Sequence, residues 1–206
     1  MNFLPIYLAS ASPRRHEILA LMGVPHEVLR VPAPDGEDEP RLPGEAPAVY
    51  VCRTARDKAL HAAAWLAEQH NTNATHAQRP ILCADTTVIL DDDILGKPAT
   101  EQHARDMLGR LSGRTHAVHT ALALMHNGHL YEDVSITTVR FKPLTDEEIR
   151  HYCSSGEPMG KAGAYGIQGL AGMFVESITG SYTGVMGLPM FETGKLLTAL
   201  PAQKSE

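Results

Sequence analysis

The chain has 206 residues, of which 43% are hydrophobic and 20% charged, a balance ordinary for a globular protein and sufficient to bury a core as one domain spanning 1–206. Its 18 basic and 24 acidic residues leave a formal net charge of −6; with only 5% aromatics and no Lys/Arg-rich run, nothing suits a nucleic-acid backbone. No stretch approaches the roughly 20 apolar residues of a membrane span, and the start MNFLPIYLASASPRR lacks a basic region followed by a long apolar run, so a cytoplasmic location without membrane partners is expected.

Ile6 to Ala9 reads as a short buried strand, and Ser12-Pro13 then supplies an N-cap and a first-turn proline for a helix carrying Ile18, Leu19 and Met22. The Pro-, Gly- and acid-rich run from Pro32 to Pro47 predicts a loop, followed by a long alanine-rich helix from about Ala48 to His70. Ile81 to Leu90 reads as a core strand, Asp91-Asp92-Asp93 as a turn, and Glu101 to Leu111 as a helix with Ala104, Met107, Leu108 and Leu111 on one face. Strands over His116 to Met125 and Leu130 to Phe141 are joined at Asn127-Gly128, a strong hairpin signal. Thr145 with Glu148 forms a capping-box pattern, a glycine-dense stretch runs from Gly160 to Gly187, and a last helix ends near Leu200. Interleaved strands and helices with a hairpin indicate an α/β protein built on a mixed sheet.

Three constellations carry chemistry. In Ser10-Ala11-Ser12-Pro13-Arg14-Arg15 a strand end meets a helix N-terminus, so free N–H groups, two hydroxyls and two guanidiniums converge where a phosphate would be favoured. The plain alternative is a helix start with two solvated arginines. In Ala84-Asp85-Thr86-Thr87 a carboxylate interrupts an apolar strand, where Asp is disfavoured and seldom buried alone. Asp85 is therefore expected to face a cleft and to bind a divalent ion or take a proton from water, unless it is a satisfied structural carboxylate. Lys97, in Gly96-Lys97-Pro98, would add a charge for a phosphate, or is simply a surface lysine. In Gly160-Lys161-Ala162-Gly163-Ala164-Tyr165-Gly166-Ile167-Gln168-Gly169 the glycines point to tight turns or close approach to a ligand, with Tyr165 and Gln168 as candidate base-contacting side chains; an inert loop is the alternative.

Other features favour structural readings. Cys52, Cys83 and Cys153 are too far apart for a CxxC site and read as small buried apolar residues. Asp91-Asp92-Asp93 lacks EF-hand spacing, the Asp38-Glu39 pair alone reads as solvated loop, and His116 and His119 point to opposite strand faces, which disfavours a shared metal. No GxSxG, Walker or Rossmann fingerprint occurs.

The order of these motifs resembles the Maf family of nucleoside triphosphate pyrophosphatases, also known as septum-formation inhibitors. The likeness runs nearly end to end through LASASPRRHEIL, Asp38-Glu39, Arg56-Asp57-Lys58-Ala59, CADTTVIL with GKP, LSGRTHAVHTALAL and KAGAYGIQGLAGMFVESITGSYTGVMGLPM. It implies an elongated mixed β-sheet flanked by helices, with two lobes around a central cleft, and hydrolysis at the α-phosphorus of a nucleoside triphosphate with a divalent metal, Mg2+ or Mn2+. By the same resemblance Asp85 is the general base and, with Glu39, a metal ligand; Ser10, Ser12, Arg14, Arg15, Lys58 and Lys97 form the phosphate site. A homodimer is also implied. The branch acting on 7-methyl-GTP typically has Trp after the Ser-Pro and lacks AYGIQG. Arg14, Thr86 and Gln168 instead resemble the dTTP/UTP branch, and the Gln168 amide could read a pyrimidine edge as donor and acceptor together. The rival expectation is a non-catalytic nucleotide-binding regulator of cell division.

Overall fold

The computed structural model describes residues 3–32, 40–70 and 79–200. The predicted opening forms as β1 (Ile6–Leu8), wholly buried, and α1 (Pro13–Leu21), with Pro13 in the first turn, where its missing N–H costs nothing. Ser12 is the N-cap by position, but its hydroxyl makes no capping bond, and its N–H donates instead to Ser10 Oγ at 3.2 Å. A strand with no periodicity of its own, β2 (His26–Val28), pairs in parallel with β1. In α2 (Pro47–His70) the buried stripe Val51, Ala55, Ala59 and Ala62 is mostly alanine, which lets the helix lie close on the sheet. Ahead of it, Glu45 is gripped by Arg53 through bonds of 2.6 and 2.9 Å, anchoring the chain as it enters the helix.

β3 (Ile81–Leu90) turns through Asp91 and Asp92 into β4 (Asp93–Leu95), so the three aspartates make a turn as predicted, Asp93 opening a short strand that the sequence did not announce. Next come α3 (Glu101–Leu111), with its four predicted apolar residues buried, then β5 (Thr115–His126) and β6 (His129–Phe141). Asn127 and Gly128 sit at φ 49° and 75°, the left-handed pair that a two-residue hairpin demands. The predicted capping box opens α4 (Asp146–Ser154), with both Thr145 and Glu148 bonds made. The glycine-dense stretch contains two 3-10 turns (Ala162–Ala164 and Leu170–Phe174), then β7 (Val175–Thr179) and α5 (Tyr182–Met186), before α6 (Met190–Thr198).

Among the described residues seven strands form one mixed sheet in the order β2-β1-β3-β5-β6-β7, with β4 also on β3. β1 and β2 run parallel to their neighbours and the other pairs are antiparallel. One edge of β3 pairs with β5 from Ile81 to Ile89. The other edge pairs with β1 only at Ile81 and Leu82 and with β4 only from Val88 to Leu90, so beside residues 83–87 the sheet has a gap. The core divides at the same place. The first half of β3 packs through Leu82 and Ala84 under α1 and α6 and through Ile81 and Cys83 under α2; the second half, from Val88, packs among α3, α4 and the glycine-dense stretch. Asp85 and Thr86, in between, are the two residues of the strand that are not fully buried. This is the predicted α/β mixed sheet flanked by helices.

At Gly163 (φ 66°) the backbone donates to the Gly96 carbonyl at 3.1 Å, and an added Cβ would lie 2.9 Å from Val88 Cγ1. Only glycine lets the loop lie so close to β3. The three cysteines are free thiols, Cys83 and Cys153 buried. Among the described residues no helix is long and apolar enough to cross a membrane.

Candidate active site

Strand parity turns Asp85 towards α2 and Thr86 towards α1. On α2, Thr54 and Lys58 are one turn apart and flank the alanine stripe, so both face the gap. Lys58 Nζ reaches Asp85 Oδ1 at 2.6 Å, and the Thr87 hydroxyl donates to Oδ2 at 3.3 Å. The Asp85 side chain is only 16% exposed. Burial alone would raise its pKa, but Lys58, then Arg15 and the Thr54 hydroxyl, outweigh that and hold the carboxyl below its ordinary value. Asp85 is therefore an ionised carboxylate set among cations.

On the opposite side of the gap, Arg15 is locked by three bonds: Nε to the Gly187 carbonyl at 2.8 Å, Nη1 to Ser10 Oγ at 3.2 Å and Nη2 to Thr86 Oγ1 at 3.2 Å. Thr86 is held in turn by Thr120 Oγ1 at 3.0 Å, and Thr120 donates to the Gly184 carbonyl at 2.8 Å. Burial lowers the Arg15 pKa while Asp85 raises it, and a guanidinium stays charged in either case, with donors left beyond these three bonds. A rigid cation with spare donors beside a half-buried carboxylate suits phosphate oxygens better than bulk water does.

One residue along α1 and α5 from this lock lies a cavity of about 310 Å³, whose walls include Arg14, Lys161, Gln168 and the apolar Ile167, Val185 and Met186. Arg14 and Gln168, far apart in sequence, thus share one cavity. Thr86, grouped with them by the family resemblance, is bonded to Arg15. Tyr165 corrects the reading of it as a base-contacting group: it is 6% exposed and its hydroxyl is bonded to His116 Nε2 at 2.9 Å, so the ring forms wall and core. Burial drives that phenol far above its ordinary value and pulls His116 down to about 4. Lys97 is exposed just after β4, which runs back along β3 towards Asp85. Glu39 lies outside the described residues.

The sequence reading missed Thr54, Thr120 and the Gly187 carbonyl. Thr54 had a signal, four residues before Lys58 on a helix; the other two become partners only through the fold. His116 and His119 do face opposite ways, the first buried and the second half-buried. No three His, Cys, Asp or Glu side chains group as a metal site among the described residues.

Residues 5–200 match the family model described as Maf-like protein. The dTTP/UTP pyrophosphatase of Bordetella pertussis is 62% identical over 192 residues, covering 93% of this chain and 90% of its own. Those of Dechloromonas aromatica and Escherichia coli O157:H7 are 48% and 46% identical, covering 95% and 98% of this chain and 96% and 95% of their own. With a family model matched along almost its whole length and relatives this similar, the chain belongs to the Maf family.

Proposed function

We propose that this protein is a nucleoside triphosphate pyrophosphatase that hydrolyses dTTP and UTP to the monophosphate and pyrophosphate, the activity that its relatives' names carry. The observation that supports it best is the ionised Asp85, bonded to Lys58 and facing the locked Arg15, in a gap that adjoins the cavity of Arg14 and Gln168. The triphosphate lies in the gap, where Lys58, Arg15, Arg14 and Lys97 neutralise it and stabilise charge growing on the leaving pyrophosphate, and the Ser10 and Ser12 positions ahead of α1 offer hydrogen bonds to its oxygens. The base enters the cavity, where Arg14 and Gln168 set substrate choice, with Thr86 acting through Arg15.

Asp85 takes the proton of the attacking water. A carboxylate held low by Lys58 is a weak base, but a bound triphosphate competes for the same ammonium and brings negative charge, and both effects raise the Asp85 pKa when substrate is present. A divalent cation, Mg2+ or Mn2+, fits this donor set. A carboxylate has about four lone-pair positions, so Asp85 keeps room beyond Lys58, Thr87 and Thr54, and Mg2+ is commonly held by one or two carboxylates plus substrate phosphates. Glu39 is the second carboxylate by family resemblance. Such an ion supplies Lewis-acid polarisation and a more acidic water. We place the enzyme in the cytoplasm as a homodimer that needs neither nucleic acid nor membrane.

A non-catalytic regulator has no use for a carboxylate beside a triphosphate, whose charge it repels. Pyrophosphate release from dTTP, UTP, CTP and GTP, with and without Mg2+, decides between the two. Metal-dependent release from dTTP and UTP is expected; no release from any of the four would favour the regulator.

A further inference from the structure

We propose that Lys161 is a further specificity-determining residue, whose ammonium donates a hydrogen bond to the ring carbonyl oxygen that uracil and thymine carry where cytosine carries an amino group. The inference rests on the reading above, in which the cavity receives the base.

The reason begins with what Gln168 cannot do. Its side chain is exposed on the cavity wall and its amide has no hydrogen-bond partner among the described residues. A carboxamide offers a donor and an acceptor side by side, and turning it over exchanges them. In one orientation it pairs with the N3–H and carbonyl of uracil; in the other it pairs equally well with the N3 and amino group of cytosine. A free glutamine alone therefore does not separate the two bases. An ammonium has donors only and cannot be turned to accept. Placed beside Gln168 in the same cavity, whose walls also carry Glu17 and Glu157, it welcomes the carbonyl and itself offers the amino group no acceptor.

Lys161 is built to serve as that fixed donor. It lines the cavity immediately before the 3-10 turn at Ala162–Ala164. Its stem lies along Gly166, where an added Cβ would sit 3.0 Å from Lys161 Cε and 3.1 Å from Cδ. Its Nζ donates to the Glu157 main-chain carbonyl, which fixes the head group and leaves further donors for a ligand. The Glu157 carboxylate, which also lines the cavity, is held in place by two bonds: Oε1 accepts from the Tyr152 hydroxyl at 3.0 Å and Oε2 from the Leu170 N–H at 3.1 Å. These bonds also hold the two ends of the segment bearing Gln168, because the Tyr152 hydroxyl accepts from the Gly166 N–H at 3.2 Å. Burial and the neighbouring Arg14 pull the Lys161 ammonium below its ordinary value, as expected for a cation facing the same cavity as a second one.

Lys161→Met keeps the stem and removes the donor, and kcat/KM is compared for UTP, dTTP and CTP. One hydrogen bond to a charged group predicts a loss of about 10- to 100-fold on UTP and dTTP, with CTP changed by less than about threefold. Gly166→Ala, which pushes the stem aside, should erode the UTP-to-CTP ratio in the same direction, and Lys161→Arg should retain much of it. Equal losses on all three substrates, the mark of a phosphate contact or a structural role, would overturn the proposal, as would an unchanged ratio. Calorimetric binding of UMP and CMP to the wild-type protein and to Lys161→Met separates this from failure of the proposed activity. If the wild type turns over none of the triphosphates, a UMP preference that disappears in Lys161→Met still supports the proposal, and no UMP preference in the wild type refutes it.

Discussion

Acid should weaken this protein in part through the buried His116, and the size of that histidine's effect follows from its surroundings. His116 is 3% exposed on β5, edge-on to Phe141 and Tyr165, with Nε2 at 2.9 Å from the Tyr165 hydroxyl and Nδ1 without a partner among the described residues. Burial lowers its pKa from 6.5 to about 4. A base depressed on folding stays neutral in the native state while the unfolded chain takes up a proton. Its contribution to stability is therefore complete above pH 6.5 and is lost as pH falls towards 4. Between pH 8 and pH 5 the loss is about 2 kcal/mol, with a limit of about 3 kcal/mol at lower pH. His116→Gln carries no titrating group and keeps polar atoms for the Tyr165 hydroxyl. Comparing its urea midpoints with those of wild type at pH 8, 6 and 5 cancels the other histidines and the carboxylates. For a denaturant slope of about 2 kcal/mol/M, the wild-type midpoint should drop about 1 M further than that of the variant between pH 8 and pH 5. Equal drops would refute the reasoning and mean that His116 accepts a proton in the folded state.

The remaining predictions concern the gap and its walls. Lys58→Met removes the largest cationic influence on Asp85, so the Asp85 pKa rises and the acid limb of kcat/KM with dTTP should move to higher pH, with a loss of about 100-fold at neutral pH; an unmoved acid limb would contradict this. Gly163→Ala combines left-handed strain of about 1–2 kcal/mol with overpacking against Val88 of about 1–3 kcal/mol. A thermal melt should fall by about 5–20 °C, and a midpoint within about 2 °C of wild type would show that the loop relaxes.

The elements legible in the sequence are those that carry their own signal. The alanine-rich face of α2, the four-residue apolar stripe of α3, the Asn-Gly turn and the Thr145–Glu148 box each determine a local structure without help from distant residues. β2, β4 and β7 do not: His26–Val28 and Asp93–Leu95 are three residues each, and they are strands only because a neighbour offers an edge. Asp85 was readable because a carboxylate in an apolar strand needs a reason. Its partner Lys58 is 27 residues away, and the family resemblance pointed to it where periodicity did not. Tyr165 was misread for the same kind of cause, since the histidine that claims its hydroxyl lies 49 residues earlier, on β5. Side-chain identity suggested a contact, and burial reassigned it.

The most direct test of the account is turnover of dTTP by Asp85→Asn. Asparagine keeps the shape and loses the basic carboxylate, so kcat should fall by about 10²- to 10⁴-fold while the melting profile stays that of a folded protein. Near-normal kcat from that variant would contradict the claim that Asp85 activates the attacking water.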